Sequence, residues 1–177
     1  ATEPVDDADS TQWDALQALD DGDVETETLS VRVTDGNGGT DDASITVQVN
    51  GVNDLAVTAA GYDLAETATE NGAAVNGTVA HTDVDDTLTY ALAEDASLTG
   101  TYGDFTLNTT SGAWTYTQAT SGDQFTALQA LDTGDAPEET LNVVISGDNT
   151  AIAQAIVVTV NGVNDLAVTA AGYDLAE

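Results

Sequence analysis

The chain contains no cysteine, one histidine, and a single residue from lysine and arginine combined. Without cysteine there is no disulfide framework and no thiolate metal site. With His81 alone, a zinc centre and Ser-His-Asp chemistry both lack their usual residues. No apolar run reaches the length needed to span a bilayer. No basic-then-apolar leader opens the chain, which reads as mature or excised sequence. The deficit of positive charge is the largest departure from ordinary composition. Arg32 stands against 32 acidic residues, for a formal charge of -31. Nucleic acid and anionic membranes bind basic surfaces, so neither nucleic-acid binding nor membrane insertion is expected. Two carboxylates about 4 Å apart repel by about 1 kcal/mol in water and about 4 at an effective dielectric near 20. Internal ion pairs cannot relieve this, so relief must come from divalent cations or high salt.

Hydrophobic residues nevertheless make up 41% of the chain, enough for a core of Val, Leu, Ile and Ala. These residues alternate too regularly for a disordered acidic chain. The sequence also repeats. Val49 to Glu66 reads VNGVNDLAVTAAGYDLAE, and Val160 to Glu177 reads the same 18 residues 111 positions later. Ala15 to Asp20 (ALQALD) recurs as Ala127 to Asp132, at an offset of 112. The one-residue difference falls between the turn Asp35-Gly36-Asn37-Gly38-Gly39 and its counterpart Gly147-Asp148-Asn149-Thr150. Length changes belong in hairpin turns. The expected organisation is therefore the C-terminal half of one repeat over 1–54, a complete repeat over 55–165, and the first strand of a following repeat over 166–177. A half-sandwich leaves strand edges and apolar surface open, so 1–54 should be disordered, paired with another chain, or completed by other sequence.

Period-two alternation marks the strands. Leu141, Val143 and Ile145 form one run and Ile156, Val158 and Val160 another. Their counterparts are Leu29, Val31 and Val33, and Ile45, Val47 and Val49. Residues 29–34 and 45–49 should thus pair as an antiparallel hairpin around the Asp35–Gly39 turn. Leu88, Tyr90 and Leu92, then Phe105 and Leu107, then Trp114 and Tyr116, add three strands. Residues 56–58 and 78–80 are weaker candidates. About seven strands per repeat predict an all-β, immunoglobulin-like Greek-key sandwich. Phe125, Leu128 and Leu131 at three-residue spacing predict a helical turn with Asp123 as N-cap, repeated by Trp13, Leu16 and Leu19.

Several segments resemble one family. Gly100-Thr101-Tyr102-Gly103-Asp104-Phe105-Thr106-Leu107-Asn108 followed by Gly112-Ala113-Trp114-Thr115-Tyr116-Thr117 is similar to the signature of VCBS repeats. So are Thr34-Asp35-Gly36-Asn37-Gly38-Gly39-Thr40 and Val160-Asn161-Gly162-Val163-Asn164-Asp165. Such repeats occur in long secreted adhesins and RTX proteins of Gram-negative bacteria. The resemblance implies a cadherin-like sandwich, in tandem, serving as an extender at the cell surface. Asp83-Val84-Asp85 resembles the cadherin Asp-x-Asp element. Leu19-Asp20 and Leu131-Asp132 resemble the start of its Leu-Asp-Arg-Glu element, and Asn53-Asp54 and Asn164-Asp165 the middle of its calcium linker. Gly51 and Leu55 stand where that linker has its outer Asp and Asn, and Gly22 where the Glu would be. One or two ions per junction are therefore implied rather than the three of cadherins.

Calcium takes about six to eight oxygen ligands from carboxylates, amides and backbone carbonyls, and Asp-rich turns supply them. Candidates at the first junction are Asn53, Asp54, Asp83 and Asp85, joined by Asp148 and by Asp20 or Asp21. At the second they are Asn164, Asp165, Asp132 and Glu66. The competing reading of each is a solvated turn residue. The expected function is a non-catalytic, extracellular extender rigidified by Ca2+, with neighbouring repeats of the same chain as partners. The alternative is an extracellular filament in which other copies of the chain pair through strands. A two-carboxylate glycosidase needs a unique cleft, whereas these acids sit mainly in repeated turns. A sugar- or ice-binding module needs an aromatic platform or a regular Thr array, and neither is present.

Overall fold

The computed structural model describes residues 7–148 and 151–166, so the strand expected over 166–177 lies outside the described residues except for Leu166. The described residues form two compact units. The first takes in the chain up to Val57 together with Thr82–Thr87 and residues 147–148; the second takes in the rest.

In the first unit, helix α1 (Asp7–Gln17) precedes an antiparallel hairpin of β1 (Val24–Thr34) and β2 (Thr40–Asn50). The turn forms because Asp35 Oδ1 accepts the N–H groups of Asn37 at 2.8 Å and Gly39 at 2.9 Å. Gly36 and Gly38 take the positive φ values that the turn requires. Leu29 lies opposite Ile45 and Thr34 opposite Thr40, the pairing that the alternation predicts. Residues 1–54 were expected to be disordered, paired with another chain, or completed by other sequence; the described part is a helix and a hairpin. It is nonetheless open: Leu29 is 61% exposed and Ile45 52%. Arg32 donates to Asp42 through Nε at 2.6 Å and through a terminal nitrogen at 2.8 Å.

The second unit is a sandwich. One sheet has the order β4 (Ala65–Thr69), β11 (Ala151–Asn161), β10 (Glu138–Ser146), β7 (Thr89–Leu92). The other has the order β5 (Val75–Thr78), β9 (Ala113–Gln118), β8 (Gly103–Leu107). All pairings in these sheets are antiparallel except β4 with β11, which run parallel. A separate two-stranded ladder pairs β3 (Val57–Thr58) with β6 (His81–Thr82). The first strand of the repeat is thus shared: its opening lies beside the second strand and its continuation crosses to the last. This order, with hairpin strands central in one sheet and three strands in the other, is that of an immunoglobulin-type sandwich.

The core follows the predicted alternation. Leu141, Val143, Ile145, Ile156, Val158 and Val160 are fully buried, with Phe105, Trp114 and Tyr116 from the three-stranded sheet. Trp114 donates its indole N–H to the Asp63 carbonyl at 3.0 Å, so its polar atom is satisfied. Helix α2 (Gly122–Leu128) buries Leu128 where the three-residue spacing predicts a helical turn. Its N-cap is Ser121 rather than Asp123, which lies in the first turn, where a carboxylate favours the helix dipole. Two elements differ from the sequence reading. The strand expected over 78–80 is interrupted between β5 and β6, and β4 was not foreseen because AETAT shows only small and polar residues.

Candidate metal centre

Four chain segments meet in the first unit: the turn after α1, the linker after β2, the loop Thr82–Thr87, and Gly147-Asp148. The turn is closed by the Asp23 N–H donating to the Asp20 carbonyl at 3.0 Å and the Asp20 N–H donating to Asp23 Oδ2 at 3.1 Å. The linker is pinned to this turn by the Gly51 N–H, which donates to the Asp23 carbonyl at 2.9 Å. Any Cβ at residue 51 would overlap the Asp20 carbonyl oxygen. A side chain at this position would therefore push the linker away from the turn.

Beyond Gly51, the Asp54 N–H donates to Asp85 Oδ2 at 2.8 Å. Asn53 turns its amide nitrogen onto the Asp54 carbonyl, which leaves its oxygen facing inward. Asp83 Oδ1 accepts the Val84 N–H at 2.8 Å. Three side-chain oxygens remain, Asn53 Oδ1, Asp83 Oδ2 and Asp85 Oδ1, each buried and without a hydrogen-bond donor. A buried acceptor without a donor normally carries a free-energy penalty of about 1–3 kcal/mol, and more when charged. These three oxygens, on the linker and on the adjoining loop, are open to a bound cation or to water.

The same loop feeds a second group. One carboxylate oxygen from each of Asp20, Asp86 and Asp148 lies within 4.8 Å of the others, the sole three-acid cluster among the described residues. Asp86 Oδ2 also accepts the Asp148 N–H at 2.9 Å. Burial raises the Asp83 carboxyl above the ordinary aspartate range, and the neighbouring Asp85 carboxylate raises it further. Asp85 is lowered, chiefly by the Asp54 N–H that it accepts. The two carboxyls titrate as a pair that retains a proton more readily than separate aspartates do.

Of the residues singled out by sequence at the first junction, Asn53, Asp54, Asp83, Asp85, Asp20 and Asp148 come together in this unit. Asp21 does not join the acidic cluster; its side chain is exposed and its N–H caps Asp20 Oδ1. Asp86 was missed, although it directly follows Asp85. At the second junction, Asp132, Asn164 and Asp165 are exposed and Glu66 is half-buried on β4. Asp132 Oδ1 accepts the Thr133 N–H at 2.7 Å, and Asn164 donates to the Asp165 carbonyl at 2.8 Å. Among the described residues these four assemble no acidic cluster. Two buried carboxylates outside either site also escaped the sequence reading. Glu70 accepts from Val163 N–H at 2.8 Å and Gln129 Nε2 at 2.7 Å. Glu139 accepts from Thr101 and Tyr102 N–H at 2.8 and 2.7 Å. Glu139 sits in phase with Leu141 and Val143, an inward position that alternation could have flagged.

No family model matches the chain, and no curated protein does. Solved structures with similarity include the extracellular cadherin domains 1–5 of protocadherin gamma B2, at 18% identity and a TM-score of 0.42 over 81% of this chain and 26% of that one. Mouse clustered protocadherin PcdhgC3 EC1-3 shows 16% identity and a TM-score of 0.40 over 86% of this chain and 45% of that one. An endo-fucoidan hydrolase of glycoside hydrolase family 107 shows 16% identity and a TM-score of 0.36 over 82% of this chain and 19% of that one. The chain thus spans less than half the length of each. The second unit is an immunoglobulin-type β-sandwich. Its strand order carries that assignment.

Proposed function

We propose that the chain is a non-catalytic extender, part of a secreted cell-surface adhesin of the VCBS repeat type, held rigid by calcium around the loop Thr82–Thr87. The observation that carries this is the trio of buried oxygens on Asn53, Asp83 and Asp85 with no donor in reach. All are oxygens, two are carboxylate and one is amide, which suits a hard cation with flexible coordination better than zinc or copper. Arg32 cannot serve, because its guanidinium holds Asp42. In sequence, Asn53-Asp54 closes one repeat, while Asp83 to Asp86 belongs to the next. An ion bound by both would tie consecutive repeats to a common centre. Binding only the ordered state stabilises it by about 2.7 kcal/mol at a hundredfold excess over Kd.

A non-catalytic reading is supported by His81. It is buried, with Nδ1 2.8 Å from the Val79 carbonyl and its ring edge-on to Tyr62. The carboxylates of Asp20, Asp83, Asp85, Asp86 and Asp148 lie in turns and linkers. Among the described residues no helix is long and apolar enough to cross a membrane.

Thermal unfolding in calcium, in chelator, and in matched NaCl tests the reading. Calcium should raise the melting temperature well beyond matched NaCl. Asp83→Asn with Asp85→Asn should remove most of that rise, and Asp41→Asn should not. If chelator changes neither melting temperature nor the small-angle scattering length, screening of an acidic surface by salt replaces the calcium mechanism.

A further inference from the structure

The hairpin β1–β2 and the hairpin β10–β11 are built alike. Leu29 faces Ile45 as Leu141 faces Ile156, and Glu27 faces Val47 as Glu139 faces Val158. Their surroundings differ. Leu141, Ile145, Ile156 and Val158 are 0% exposed, whereas their counterparts Leu29, Val33, Ile45 and Val47 are 61, 63, 52 and 55% exposed. In the second unit the hairpin is flanked by β7 along β10 and by β4 along β11, and faces the sheet β5-β9-β8. Among the described residues β1 and β2 pair only with each other.

We infer that the β1–β2 face is a docking surface for one occupant, the front half of another repeat of this type, a polypeptide with the chemistry of residues 55–118. The second unit displays the complement such a partner supplies. It brings an aromatic layer of Phe105, Trp114 and Tyr116, an antiparallel edge strand like β7, and a parallel edge strand like β4. It also brings the turn Gly100-Thr101-Tyr102, whose two N–H groups satisfy Glu139. Glu27 occupies the place of Glu139 on the open hairpin and is exposed. An apolar occupant without paired donors would bury that carboxylate unsatisfied, at a large penalty. A second copy of the hairpin fits badly for the same reason. Face-to-face packing of two such hairpins would confront Glu25 and Glu27 of each with acids and apolar groups, between chains that each carry a formal charge of -31. The front half of a repeat meets both demands, the apolar stripe and the carboxylate between its flanks.

The test adds a fluorescent polypeptide of residues 55–118 to the full chain, followed by anisotropy and analytical ultracentrifugation. A one-to-one complex should form. Hydrogen exchange at Leu29–Val33 should slow by about a hundredfold or more in it. Leu29→Asp with Ile45→Asp should abolish binding while leaving the unfolding of the second unit unchanged. Glu27→Gln should weaken binding by about tenfold, the loss expected for charge-assisted hydrogen bonds. Absence of the complex overturns the inference, as does a complex indifferent to the Leu29 and Ile45 changes. A dimer of the chain alone that these changes dissociate would assign the face to a second copy and overturn it equally. If the free polypeptide precipitates, residues 55–118 joined ahead of the chain provide the same readout, and unchanged exchange at Leu29–Val33 refutes the proposal.

Discussion

Glu139→Ala should be among the most damaging single changes in the second unit, and the same change at Glu27 should be nearly silent. Glu139 is 6% exposed, and its carboxylate accepts the Thr101 N–H with both oxygens, at 2.8 and 3.1 Å, and the Tyr102 N–H at 2.7 Å. Truncation leaves two backbone donors without their acceptor in a water-poor site, and each unsatisfied donor costs about 1–3 kcal/mol. A void of carboxylate size adds to this. Together they give about 3–6 kcal/mol, a large part of the total stability of a small domain. Glu139→Gln keeps an acceptor oxygen but loses the charge, for about 1–2 kcal/mol. It also removes the negative charge that, after burial, raises the Tyr116 hydroxyl above its ordinary value. Exposed Glu27 should cost less than about 0.5 kcal/mol on truncation. Urea unfolding monitored by Trp114 fluorescence reads the second unit, with Trp13→Phe as background to silence the other tryptophan. Equal losses from Glu139→Ala and Glu27→Ala, or a loss from Glu139→Ala below about 1 kcal/mol, would refute the idea that those backbone donors depend on this carboxylate.

Leu141→Ala should cost about 2–5 kcal/mol by cavity formation, and Leu29→Ala under about 0.5, measured by the same unfolding experiment. Tyr116→Phe removes a buried hydroxyl that has no partner, and should be neutral or stabilising by up to about 1 kcal/mol; a clear destabilisation would mean that the hydroxyl is satisfied in solution. Without divalent cations, stability of the first unit should fall as pH rises from the ordinary aspartate value through the raised value of Asp83, because the neutral carboxyl is the favoured folded form. It should fall again as pH drops through the lowered value of Asp85, whose ionised form is favoured. Calcium should suppress the first fall by favouring ionised Asp83, which carboxyl NMR titration can follow. Gly51→Ala forces the linker away from the Asp20 carbonyl, and should reduce the calcium-dependent rise in melting temperature without altering the second unit's unfolding.

What could be read in the sequence was governed by period. The runs Leu29–Val33, Ile45–Val49, Leu141–Ile145 and Ile156–Val160 all lie in strands, because alternation reports directly which side chains a pleated sheet can bury. The repeat placed the equivalent elements, and turn chemistry placed the Asp35 hairpin. What alternation cannot report is whether a partner sheet is present. Leu29 and Leu141 have the same local pattern and opposite burial. Strand β4 was illegible because AETAT is held by ladder bonds to β11 rather than by apolar side chains. At the candidate centre, Asn53, Asp54, Asp83 and Asp85 were singled out by their resemblance to cadherin calcium elements and by their acidic turns. The importance of Asp86 arises from the approach of Gly147, where a Cβ would lie 2.5 Å from the Asp86 carboxylate, a tertiary fact with no local signature.

The parallel pairing of β4 with β11 has a mechanical consequence. β4 opens the sandwich and β11 closes it, with five registered pairs from Ala65 opposite Val157 to Thr69 opposite Asn161. The ladder is extended by the Val157 N–H on the Leu64 carbonyl at 2.7 Å and the Glu70 N–H on the Asn161 carbonyl at 2.8 Å. Tension applied through the two chain ends pulls these neighbouring strands in opposite directions along their length. The ladder bonds then bear load together in shear, where a hairpin pulled open from one end would lose them one at a time. Forced unfolding is governed by the rate of crossing the unfolding barrier rather than by equilibrium stability. A strand without one large apolar side chain is therefore the one that sets how hard the sandwich can be pulled.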